Sequence, residues 1–236
     1  MGTYSVCIPW RPQPDRQRIF ECVKRWWEKQ GFIEGESMFI GDEVMDSHDV
    51  LPFSLAAARN QVVRMAEFDD VIILADADTV PEIKVVEEAV EIAMEPGHVI
   101  YPFNEYRYLD RKDASLDMGG IHAARPIWTK GNSVGGILVA NRKTYWDLGG
   151  MDERFERTWG WEDNAFVAVA DTLAKVIRLP GKVYSFSHEV EGLGRDWSKL
   201  NPNTWRNELY DFAYGKPKVM RELLKGQPGY VPPDKR

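Results

Sequence analysis

The acidic triplet Asp76-Ala77-Asp78 is the part of this sequence best suited to chemistry. It follows the continuous apolar run Val71-Ile72-Ile73-Leu74-Ala75, which reads as a strand buried on both faces. Residues i and i+2 of an extended segment lie on the same side, so both carboxylates can turn toward one cation. Hard divalent ions such as Mg²⁺ or Mn²⁺ accept one or two carboxylates and complete their shells with water and phosphate oxygens. An isolated Asp-X-Asp more often ends a strand and caps the following helix. The apolar strand before this triplet and the helix start expected at Thr79-Val80-Pro81 after it favour the cation.

The elements that must position the triplet follow from periodicity. Tyr4 to Pro9 reads as a short buried strand, and Asp15 to Gln30 carries Ile19, Phe20, Val23, Trp26 and Trp27 at helical spacing. Ser37 to Ile40 is a second strand, and Phe53 to Phe68 is a helix. Pro81 is expected in the first turn of a helix running to Met94, followed by a strand at Val99 to Tyr101. The polar stretch Asn104 to Asn132 reads as a long irregular connection. A strand at Ser133 to Ala140 is expected next, then a short helix at Thr144 to Leu148 and a helix at Glu162 to Leu173. Strands at Val176 to Leu179 and Val183 to Phe186 and one last helix at Thr204 to Leu224 complete the set. Strands alternating with helices predict an α/β fold, a mostly parallel central sheet with helices on both faces. Ligands bind such sheets at the carboxyl ends of the strands, where Asp76 falls.

Composition narrows the function classes. A chain of 236 residues with 44% apolar content suits one domain with a sizeable core. The net charge of −7 weighs against a broad nucleic-acid surface, which neutralises phosphates with Lys and Arg. Cys7 and Cys22 have no metal-ligand or disulfide spacing and read as buried free thiols. No stretch approaches the roughly 18 to 20 apolar residues of a membrane helix, and the start lacks a leader's apolar run, so a cytoplasmic protein without stable membrane insertion is expected. Nine tryptophans offer faces for stacking on sugars but serve equally as core fillers.

Five motifs in order carry a resemblance. They are Ile8-Pro9-Trp10-Arg11, Phe53 with Ala58-Arg59-Asn60, Leu74-Ala75-Asp76-Ala77-Asp78, Gly135-Gly136-Ile137, and Trp159-Gly160-Trp161-Glu162-Asp163. Together they resemble the landmarks of GT-A glycosyltransferases, most nearly the β-1,4-galactosyltransferases and polypeptide N-acetylgalactosaminyltransferases, with family 2 enzymes further off. The likeness spans residues 4 to 210.

The resemblance implies a GT-A type nucleotide-sugar-binding fold. Residues 1–103 would form a nucleotide-binding half, 104–188 a donor-sugar and acceptor half, and 189–236 a lid with the C-terminal helix. Pro9, Trp10 and Arg11 would line the uridine and phosphate end of the donor site with Phe53 and Arg59, and Ala77 and Trp161 belong to the same donor set. Asp76 would face the ribose and reach the metal through water, and Asp78 would ligate it directly. Gly135 and Gly136 would let the backbone approach the donor sugar. Asp163 would be the base of an inverting transfer and Glu162 would hold the acceptor, although additional glycines found before the Glu in the family are missing here. The two carboxylates would also be stabilised simply as the first residues of a helix. His188 would complete the metal shell, and an imidazole among oxygen ligands favours Mn²⁺ over Mg²⁺. His48, His98 and His122 have no comparable context. Gly192 to Trp205 has the composition of either a closing lid or a plain connection.

The implied reaction moves a hexose or N-acetylhexosamine from a nucleoside-diphosphate sugar, UDP first, to a hydroxyl of a glycan, protein or small molecule, or even of modified DNA. Three rivals stay open: a retaining transferase of the same fold, a nucleotidyltransferase attacking phosphorus, and a non-catalytic sugar-binding module that uses the tryptophans alone.

Overall fold

A computed structural model describes residues 2–42, 53–114, 120–155, 160–188, 201–227 and 230. Trp159, His48 and residues 192–200 of the expected lid lie outside these.

The main sheet grows from apolar strands. β1 (Tyr4–Pro9), β2 (Met38–Gly41), β3 (Val71–Ala75), β5 (His98–Tyr101), β8 (Ile137–Asn141) and β9 (Lys175–Arg178) pair in the order β2-β1-β3-β8-β5-β9. All five residues of β3 are buried, as expected of a strand with neighbours on both sides. Every pairing is parallel except those of β8, which runs antiparallel to both β3 and β5.

The connections explain where a ligand crevice opens. α1 (Gln17–Lys29) carries the chain from β1 to β2 on one side, and α2 (Leu55–Met65) carries it back past β1 to β3. Right-handed crossovers moving in opposite directions put α1 and α2 on opposite faces, so the sheet switches direction between β1 and β3. α2 packs on β1 and β2, while α3 (Ile83–Ala93) packs on β5 and β8. Trp27 and Tyr145 are fully buried in the core formed between sheet and helices. Cys7 and Cys22 are free and buried.

Three expectations are corrected. Pro81 does not open a helix: Thr79–Pro81 is a strand, β4, at one edge of a second sheet ordered β4-β10-β6-β7. An edge strand tolerates a residue with no N–H to donate, so this proline costs little there. The stretch 104–132 is not wholly irregular, because β6 (Glu105–Leu109) and β7 (Trp128–Gly131) pair within it and β10 (Lys182–Phe186) pairs with β6. The single helix expected at 204–224 is two, α6 (Thr204–Ala213) and α7 (Pro217–Leu224), divided where Gly215 adopts a positive φ of 69°. Between the sheets' contributions lie α4 (Arg142–Asp147) and α5 (Glu162–Leu173). Among the described residues no helix is long and apolar enough to cross a membrane.

Candidate active site

Asp76 and Asp78 leave the carboxyl end of β3 beside the residues that leave β1, at the point where the sheet changes direction. The turn is fastened to the glycine pair. The Asp76 amide donates to the Gly136 carbonyl at 2.8 Å, and the Gly136 amide donates back to Asp76 Oδ2 at 3.1 Å. The Thr79 hydroxyl donates toward the carbonyls of both Asp76 and Gly136, each at 3.0 Å. Gly136 has a φ of 101°, and a Cβ there would stand 2.6 Å from Tyr106 Cε2, so both conformation and space demand glycine.

The two aspartates find different partners. Asp78 lies 2.9 Å from His188 Nε2 and 3.5 Å from Arg16 Nη2, and its carbonyl accepts from the Phe186 amide. Asp76 accepts instead from Arg59 Nη2 at 2.7 Å. Asp78 and His188 thus meet as expected of a carboxylate and imidazole pair. Among the described residues no group of three His, Cys, Asp or Glu side chains is gathered as a metal-ligand set, so Asp76, Asp78 and His188 do not stand as one trio.

Arg59 is the hub of the site. It projects from α2 and is only 2% exposed. Its guanidinium pairs with Asp76 through one nitrogen and with Asp163 through the other. Burial opposes its charge, but the Asp163 and Asp76 carboxylates hold the proton on it well above the ordinary arginine range. Its Nε has no hydrogen-bond partner among the described residues. The sequence singled out Arg59 through the Ala58-Arg59-Asn60 motif, whereas its bridge between the two acidic motifs is visible only in the structure.

Glu162 and Asp163 form the first turn of α5, where the helix dipole favours carboxylates. The chain reaches them through two consecutive left-handed residues, Gly160 at φ 108° and Trp161 at φ 80°. That conformation is strained for tryptophan by about 1–3 kcal/mol, and the Trp161 indole N–H donates to Thr204 Oγ1 at 3.2 Å, which helps fix it. Glu162 is 5% exposed, and its Oε2 has no partner among the described residues. Burial, then the Asp163 charge beside it, pushes its carboxyl up to about 7, against the pull of its own backbone N–H and of Arg59. Asp163 approaches the glycine pair closely, since a Cβ on Gly135 would stand 3.0 Å from its Oδ2.

The β1 end of the site is a separate cluster. Arg11 pairs with Asp42 and lies over the Phe53 ring at 5.4 Å. Pro9 and Ala77 are buried. The Trp10 ring is turned into the core, stacked on Phe20 at 4.3 Å, so it does not offer an open face to a ligand. Sequence reasoning missed Tyr106, Arg16, Thr79 and Asp42. The alternation of Glu105-Tyr106-Arg107-Tyr108-Leu109 was the available signal for Tyr106, whose strand lay in the stretch read as irregular.

Comparison with known proteins meets this geometry. Residues 123–189, which include Gly135-Gly136, Glu162-Asp163 and His188, match the sequence family described as the N-terminal domain of galactosyltransferase. No curated protein matches the chain. The solved structure of Drosophila β1,4-galactosyltransferase 7 with manganese, UDP-Gal and xylobiose is similar at a TM-score of 0.53, with 17% identity over 86% of this chain and 80% of that one. The chain has the GT-A glycosyltransferase fold. Two further structures overlap this GT-A chain at lower scores. Glucosyl-3-phosphoglycerate synthase of Mycobacterium tuberculosis, with Mn²⁺, UDP and phosphoglyceric acid, has a TM-score of 0.47 and 10% identity over 91% of this chain and 79% of that one. GalNAc-T7 with UDP, GalNAc and Mn²⁺ has a TM-score of 0.49 and 12% identity over 93% of this chain and 48% of that one.

Proposed function

We propose that this chain transfers a hexose or N-acetylhexosamine from a nucleoside-diphosphate sugar, a UDP-sugar first, to an acceptor hydroxyl with inversion, using a divalent cation. One observation carries the reading. Arg59 ties the carboxylate that follows β3 to the carboxylate that opens α5, so a group suited to the donor and a group suited to the acceptor meet on one buried guanidinium while each stays partly exposed. A sugar-binding module would need no such cluster.

The residues present suit a Mn²⁺ ion. Asp78 would supply a hard oxygen and His188 a nitrogen, a donor pair that suits Mn²⁺. When bound, the cation neutralises charge that builds on the departing diphosphate. Arg11, beside Phe53 at the β1 end, would face the nucleotide's base or phosphates. Gly135 and Gly136 would border the donor sugar, their missing Cβ atoms making room for Asp163 and Tyr106. Asp163 takes the acceptor proton, and its pairing with Arg59 fixes the carboxylate's direction. Glu162, buried and holding its proton up to about pH 7, can donate to an acceptor oxygen while Asp163 accepts.

Calorimetry with UDP and Mn²⁺, followed by donor hydrolysis across UDP-, GDP- and TDP-sugars, tests the proposal. Binding that needs both UDP and metal is expected, and Asp78→Ala should lower metal-dependent turnover by at least roughly 100-fold. Release of pyrophosphate in place of a nucleoside diphosphate would contradict the reading, and NMR of the product's anomeric configuration decides inversion.

A further inference from the structure

The helix that anchors Trp161 carries an uncovered apolar stripe. On α6 the buried side is Asn207, Tyr210 and Ala213. The opposite side presents Trp205, Leu209 and Phe212, which are 54%, 40% and 66% exposed. Spacings of four and three residues set these side chains in one line along the helix. Cations lie against its rings: Arg206 is 4.5 Å from the Trp205 centroid, and Lys216 is 4.1 Å from that of Phe212. α7, packed against α6, buries Met220 and Leu224 and exposes Lys218 and Arg221. Glu208 and Asp211 of α6 fall together on one flank of the stripe.

The cations of this end gather on and around α7, where Lys216, Lys218, Arg221 and Lys225 stand against Glu222 alone. Residues 204–227 contain five Lys and Arg against three Asp and Glu, whereas the whole chain has 30 against 37. A local group of cations on an acidic protein is drawn toward an anionic surface. Exposed Trp, Leu and Phe on α6, beside the Lys and Arg of the neighbouring α7, form a surface suited to the headgroup region of a bilayer.

We propose that the outer face of α6 and α7 docks on an anionic lipid surface. The stripe enters the acyl boundary and the cations meet lipid phosphates and carboxylates. The Trp161 indole donates to Thr204, the residue before Trp205, so the face begins beside the anchor of the Glu162-Asp163 pair. A bilayer held there brings a lipid-borne hydroxyl to that pair; this consequence rests on the transferase reading, and the docking itself does not.

Sedimentation with vesicles tests it. The chain should sediment with phosphatidylcholine vesicles containing phosphatidylglycerol and stay in solution with phosphatidylcholine alone. The double variant Trp205→Ser, Phe212→Ser should weaken partition by roughly tenfold or more. The double variant Lys218→Glu, Arg221→Glu should weaken it by about fivefold or more for each cation lost. Both variants should keep wild-type calorimetry with UDP and Mn²⁺, which shows that they fold and reads the transferase proposal separately. Absence of sedimentation with anionic vesicles, equal sedimentation with neutral ones, or variants that sediment like wild type would overturn the docking. A concentration-dependent dimer in light scattering, abolished by Trp205→Ser with Phe212→Ser, would overturn it in favour of an interface between copies.

Discussion

Asp163 and Glu162 adjoin in sequence yet differ in environment, and the difference suits them to the separate roles proposed for them. Asp163 is paired with Arg59 and its side chain stays 25% exposed. Replacing it by asparagine preserves the shape and the hydrogen bond acceptor but removes the basic oxygen. Asp163→Asn should therefore keep UDP-Mn²⁺ affinity and lose transfer by roughly 10²–10⁴-fold, measured by calorimetry and product formation on one preparation. Glu162 holds its proton to about 7 in the fold against 4.5 for an ordinary glutamate, so folding takes up a proton between those values. Its stabilising contribution is complete below 4.5 and disappears as pH rises through 7. Glu162→Gln removes that loss. Between about pH 4 and pH 8 the variant should gain on the order of 3 kcal/mol relative to wild type, read from urea midpoints at the two pH values.

Elements set these residues by close backbone approach. The β3 turn, the glycine pair before β8 and the Tyr106 ring of β6 form one packed contact, with Gly136 at its centre. A Cβ at Gly136 meets the ring and must also adopt a φ of 101°. Gly136→Ala should cost about 1–3 kcal/mol, seen as a lower thermal midpoint, and should weaken UDP-sugar binding more than UDP binding. The left-handed Gly160-Trp161 step works in the same way, since it turns the chain sharply into α5 so that the acidic pair occupies the first turn.

Across the molecule, the C-terminal helices are fastened to the loop that follows α4 by a buried polar network. The Tyr210 hydroxyl of α6 donates to Asp152 Oδ2 at 2.6 Å and accepts from Gln227 Nε2 at 2.9 Å, while Arg154 forks onto the same carboxylate. This network holds α6 where Thr204 can meet Trp161. Tyr210→Phe takes one donor from Asp152 Oδ2, which keeps Arg154, and removes the hydroxyl that accepts from the buried Gln227 amide. It should cost about 1–3 kcal/mol in urea denaturation, with UDP-Mn²⁺ affinity nearly unchanged because the network touches none of the proposed donor residues.

The strongest signals in the sequence were local. The apolar run of β3, the acidic triplet at its end and the bounds of α5 at Glu162 and Leu173 were legible because a buried strand and an amphipathic helix write their periods directly into consecutive residues. The second sheet was not legible. β4 is three residues long, all four residues of β7 are exposed, and β6 mixes tyrosine with charge, so none presents an apolar run. The burial of the Trp10 ring was equally hidden, because an aromatic residue suits a core and a ligand face alike. Only tertiary structure decided that Arg59 would join Asp76, 17 residues away, to Asp163, 104 residues away. A buried guanidinium is stable only where folding gathers opposite charges around it, and that gathering is a property of the packed chain, not of any window along it.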